Sequence, residues 1–132
     1  MTRDDQGYSV REDVFDRSEM VRVAERLAAD APQRTRAGAR HLLTLPVVRD
    51  LSFDRRMLDL ARLFIGATAT PFRATLFDKS ALANWLVVWH QDTALPLRAR
   101  VEHDGWGPWS TKAGLLYAHA PAWALERVVA LR

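Results

Sequence analysis

With 132 residues, the chain has room for one domain and one core, and 48% hydrophobic with 27% charged residues is the composition of a globular protein rather than a disordered tail. It has no cysteine, which excludes disulfides, thiolate nucleophiles, iron–sulfur clusters and cysteine-ligated zinc, so any metal must be held by histidine and carboxylate. The net charge is +3, but the basic residues alternate with acids in "TRDDQ", "VREDVFDR" and "FDRRMLD", which predicts a mixed, solvated surface and no nucleic-acid partner.

In chain order, "MTRDDQ" lacks the apolar core of a signal peptide, and "GYSV" at Gly7 to Val10 reads as a short strand. "DRSEMVRVAERLAAD" is the clearest helix: Asp16 caps it, Glu19 completes a capping box, and Met20, Val23, Ala24 and Leu27 form one apolar stripe. The acid-free segment "QRTRAGAR", with Arg34, Arg36 and Arg40 between Pro and Gly signals, reads as a loop rather than a phosphate site. Pro46 opens a short helical turn, and "FDRRMLDLARLFIG" is a second amphipathic helix. Its Met57, Leu58, Ala61, Phe64 and Ile65 share a face, and Gly66 suits a left-handed C-terminal cap.

Beyond Gly66 the character changes. Four segments are strand-like: "FRATLFDK" from Phe72 to Lys79, "WLVVWHQ" from Trp85 to Gln91, "KAGLLYA" from Lys112 to Ala118 and "RVVALR" from Arg127 to Arg132. The longest apolar run, "LANWLVVW", falls far short of the roughly 18 residues of a membrane span, so no membrane partner is expected and a cytoplasmic location follows by default. The expected fold class is α+β: a helical layer over about 1–66, then an antiparallel sheet over about 70–132, in one domain. The helix stripes Met20, Val23, Leu27 and Met57, Ala61, Phe64 are expected to face that sheet, because neither helix is stable alone in water.

"WHQD" carries the candidate chemistry. In extended chain, residues two apart project to one side, so the His90 imidazole and the Asp92 carboxylate converge while Gln91 points elsewhere. A histidine nitrogen and a carboxylate oxygen are two of the three ligands in the facial triad that leaves half of an octahedral Fe(II) open to co-substrate and dioxygen. On spacing alone a hydrogen-bonded surface pair is the better reading. The setting favours a site, since Trp85 and Trp89 precede the pair and "TALPL" follows it, as at the mouth of an apolar, aromatic-lined pocket.

The stretch "FRATLFDKSALANWLVVWHQDTALPLRARVEHDGWGPWSTKAG" resembles the first half of the catalytic domain in bacterial members of the phytanoyl-CoA dioxygenase family, and "ARHLLTLPVVRDL" resembles its upstream helical segment. The likeness covers about Gly38 to Arg132 and is carried by "LFDK", "NW", "WHQD" and "GPWS-KAG" in combination. It implies a double-stranded β-helix, or jelly roll, that holds Fe(II) and uses 2-oxoglutarate and dioxygen to hydroxylate or oxidise a small-molecule substrate. His90 and Asp92 match the family's proximal metal ligands, and no further catalytic residue is implied.

Lys79 is a partner for a 2-oxoglutarate carboxylate or a solvated lysine; it and Lys112 are the two lysines among 19 basic residues, where a compact point charge is distinctive. Asn84 and Gln91 either hydrogen-bond the co-substrate and orient His90 or satisfy a strand end. Of the five tryptophans, Trp89 and Trp109 are the best candidates for a pocket wall; the others fill core. The chain departs from the family at Tyr117, where members have a histidine, and at Val88, where they have a proline. His119 is read as a hydrogen-bonded structural residue rather than a third ligand, and His41 and His103 are weaker candidates still. The family's second metal-binding histidine and its 2-oxoglutarate-clamping arginine follow the equivalent of "LERVVALR". The chain is therefore expected to represent a truncated part of the jelly roll, inactive by itself, with an unpaired sheet edge that invites self-association. The alternative is a non-catalytic, degenerate jelly-roll domain kept for binding or interaction.

Overall fold

The computed structural model describes residues 7–30, 38–78, 90 and 92–132. They form a mixed α+β protein that divides into two units, Met1–Gln33 with His41–Ala74, and Arg34–Arg40 with Thr75–Arg132. No helix among the described residues is long and apolar enough to cross a membrane.

The first unit is helical. Helix α1 spans Arg17–Ala29 and begins as its capping residues require: the Glu19 amide donates to Asp16 Oδ1 at 2.8 Å, and the Asp16 amide donates to Glu19 Oε2 at 2.9 Å. A 3₁₀ turn at Leu42–Thr44 leads into α2, Pro46–Ser52, whose proline occupies the first turn, where its missing N–H costs nothing. Helix α3, Arg55–Ile65, is capped by Asp54 accepting from the Arg56 amide. Gly66 ends it at φ 89°, but with ψ 177°, an extended glycine-type conformation rather than the expected left-handed cap. Leu42, Val47 and Ala69 are buried in this unit. The two stripes, Met20, Val23, Leu27 and Met57, Ala61, Phe64, are half-buried, and neither helix has a fully buried residue.

Arg56 ties α3 to the start of α1. Its guanidinium has five N–H groups, and each has an acceptor: Nε donates to Asp54 Oδ1, one terminal nitrogen to Glu19 Oε2 and the Val14 carbonyl, and the other to Glu19 Oε1 and Asp54 Oδ2, at 2.9–3.3 Å. The group also lies 4.0 Å from the centroid of the Phe15 ring. The arginine holds the Asp54 carboxyl down at about 2, and it is the main reason the Glu19 carboxyl also titrates below its ordinary value.

The second unit is built of short antiparallel strands. β1, Gly38–Ala39, pairs with β2, Leu76–Phe77. Gly38 stands at φ 127° against β2, and a Cβ there would run into the Leu76 carbonyl oxygen. A three-stranded sheet follows in the order β3-β5-β4, with β3 at Ala94–Leu97, β4 at Trp109–Lys112 and β5 at Leu115–His119. The central strand β5 carries the core: Tyr117 and Ala118 are 2% and 1% exposed, and Leu95 and Ala124 are also buried. Pro96 lies in β3, an edge strand of this sheet, where a missing ladder donor is tolerated. A four-residue helix, α4, at Ala122–Leu125 puts Trp123 edge-on to Trp106, with ring centroids 6.2 Å apart.

Several expected strands differ. Gly7 to Val10 is exposed and forms none. Phe72 to Lys79 contracts to Leu76–Phe77, with Lys79 itself outside the described residues. Lys112 to Ala118 is two strands rather than one, because Ala113 and Gly114 turn at φ 49° and 80°, the positive pair a tight hairpin requires. Arg127 to Arg132 holds no strand: α4 ends just before it, and no strand among the described residues pairs with it. Trp85 to Gln91 lies outside the described residues except for His90.

Candidate functional site

His90 and Asp92 stand in irregular chain just before β3, rather than at the end of a regular strand. Their side chains lie on the same side, with His90 Nε2 3.7 Å from Asp92 Oδ1, too far for a hydrogen bond between them and close enough to serve one ion. Two donors on adjacent sites of an octahedral ion, at bond lengths of about 2.1 Å, stand about 3 Å apart, so the pair closes by less than about 1 Å to bind. Both side chains are about half exposed, 51% and 57%, which leaves an ion room for further ligands. The donor set, one imidazole and one carboxylate, suits Fe(II), Zn(II) or Co(II) rather than a hard all-oxygen cation. The residues present thus fit one edge of a transition-metal site. Among the described residues no third His, Asp or Glu completes a group able to hold an ion.

The segment is tied to the sheet immediately afterwards. The Ala120 amide donates to the Thr93 carbonyl at 2.9 Å, and Thr93 Oγ1 is hydrogen-bonded to His119 Nδ1 at 2.7 Å. The ladder then begins with Ala94 opposite His119. His119 is therefore the hydrogen-bonded residue that its sequence setting suggests. Thr93, its partner, carries no sequence signal of its own; only the β3·β5 register brings the two together.

The remaining candidates are scattered. Trp109 opens β4, half-buried, with the Arg100 guanidinium 5.6 Å from its ring centroid and Arg100 Nε donating to Glu102. Lys112 Nζ lies 5.2 Å from the centroid of the buried Tyr117 ring. His41 precedes the 3₁₀ turn in the helical unit at φ 59°, and His103 Nδ1 meets the carbonyl of its neighbour Asp104. Lys79, Asn84, Gln91, Trp85, Trp89, Arg34 and Arg36 lie outside the described residues.

A separate open groove of about 300 Å³ in the helical unit is lined by Phe15, Met20, Val23, Val47 and Leu51 with charged residues around them. Of its three carboxylates, Glu19 and Asp54 are taken by Arg56, and the third is Asp50. Comparison of the chain with family models, curated proteins and solved structures finds no match.

Proposed function

We propose that the chain belongs to an Fe(II)/2-oxoglutarate-dependent dioxygenase of the phytanoyl-CoA dioxygenase type, acting on a small molecule, with His90 and Asp92 as two of the metal ligands. The observation that carries this reading is the convergence of His90 Nε2 and Asp92 Oδ1 to 3.7 Å in a solvent-open segment. The "WHQD" resemblance supplies the identity of the ion, and bound iron would supply the activation of dioxygen. In this reading His90 and Asp92 orient the ion, Lys79 donates to a carboxylate of 2-oxoglutarate, Asn84 and Gln91 hydrogen-bond around it, and Trp109 forms part of an apolar wall. The jelly roll is the fold that would bring these residues together. A second reading is a non-catalytic relative that keeps the fold for binding, and it differs from the first in predicting no turnover.

The test is Fe(II)-dependent decarboxylation of 2-oxoglutarate by the 132-residue chain, alone and after extension through any downstream coding sequence, with His90→Ala and Asp92→Ala beside it. Turnover in either form that both substitutions abolish supports the dioxygenase. Turnover indifferent to both substitutions contradicts the assignment of ligands, and no turnover in either form favours the binding domain.

A further inference from the structure

We infer that His119 is a positioning residue for the His90–Asp92 pair, acting through Thr93; the inference rests on the metal reading above. The anchor is β5. Its Tyr117 and Ala118 are almost fully buried, and it is bonded on both sides, to β3 and to β4, so it is the best-held strand of the sheet. His119 is its last residue, further fixed by the Gly107 amide donating to its carbonyl at 2.9 Å. From that anchor two bonds reach Thr93: the main-chain bond from Ala120 and the side-chain bond between His119 Nδ1 and Thr93 Oγ1. Thr93 adjoins Asp92 in the chain, and its β-branched side chain has few rotamers, so gripping its hydroxyl restricts the backbone that carries the carboxylate.

A two-donor site gains more from such restraint than a complete one, because each donor not fixed beforehand must be ordered by the ion. Among the described residues His119 joins no group of three metal-binding side chains, and its side chain is hydrogen-bonded to Thr93. Were His119 a ligand through Nε2, Thr93 would still support it, but removing His119 would then change the spectrum of the bound ion. In the positioning role the two residues act as one unit.

The experiment is a Co(II) titration of the 132-residue chain, read by affinity and by the visible spectrum of the bound ion. His90→Ala and Asp92→Ala report on the site itself. His119→Ala and Thr93→Val should each weaken Co(II) by about tenfold, the lower end of what loss of a supporting contact costs. The spectrum should be unchanged, and the double substitution no worse than either alone. His119→Asn, which returns a polar atom near the place of Nδ1, should recover most of the affinity. Thr93→Val nearly preserves shape and carries the test if His119→Ala fails to fold. Unchanged affinity in Thr93→Val, with Co(II) lost in His90→Ala and Asp92→Ala, overturns the inference and leaves the metal reading standing. An altered spectrum in His119→Ala, with the spectrum of Thr93→Val unchanged, makes His119 a ligand and also overturns it. No Co(II) binding by the unsubstituted chain, or binding indifferent to His90→Ala, removes the metal reading and this inference with it.

Discussion

The two units are held by different kinds of interaction. In the helical unit the decisive contact is a side-chain junction, where one arginine with five donors meets two carboxylates, a carbonyl and an aromatic face. In the sheet unit the decisive features are in the backbone: Gly38 at φ 127° against β2, the Ala113–Gly114 turn, and the bond from the Ala120 amide to the Thr93 carbonyl. The first arrangement answers to pH and salt, and the second to steric change.

The largest effect belongs to the sheet unit. Gly38→Ala adds a Cβ where the Leu76 carbonyl already stands, at a φ that alanine rarely adopts, so β1 must part from β2. A loss of about 3 kcal/mol is expected in urea unfolding. A near-neutral substitution would show that the β1–β2 pairing contributes little.

Next is the helical unit. Arg56→Lys keeps the charge but loses the planar fork that serves Glu19 and Asp54 together. The thermal midpoint should fall by several degrees, and the difference from the unsubstituted chain should narrow in 1 M salt, since all three side chains are partly exposed and screened. A difference that survives high salt would mean that packing on Phe15, rather than charge, holds the junction.

The same junction sets a pH dependence. Asp54 and Glu19 titrate below their ordinary values in the folded chain, so their contribution is present in full above the unfolded carboxylate range. It is lost as pH falls toward about 2, the folded value of Asp54. Helical signal followed from pH 6 to pH 2 should decline below about pH 4, and Arg56→Lys should flatten that decline. A decline already under way at pH 6 would point to another titrating group.

The smallest effect is a gain. Ala113 at φ 49° sits where asparagine or glycine is preferred, so Ala113→Gly should stabilise the β4–β5 hairpin by about 0.5–1 kcal/mol. Destabilisation would place a different turn at this corner.

The same division explains what can be read from the sequence. Asp16 with Glu19 announces α1 because the capping box closes within three residues, and Pro46 announces α2 because its fixed φ suits the first turn. The strands depend on distant partners. "KAGLLYA" reads as one strand because its apolar run masks the turn at Ala113 and Gly114, and "RVVALR" reads as a strand because apolar β-branched residues suit one, although pairing decides. The convergence of His90 and Asp92 is legible from the two-residue spacing, whereas the Thr93–His119 bond requires a register that no local pattern encodes.

The central claim is that His90 and Asp92 share one ion, and an anaerobic Fe(II) titration followed by calorimetry tests it most directly. The account predicts saturable binding of one ion per chain that is lost in both His90→Ala and Asp92→Ala. Binding that either substitution leaves unchanged, or no saturable binding at all, would contradict it.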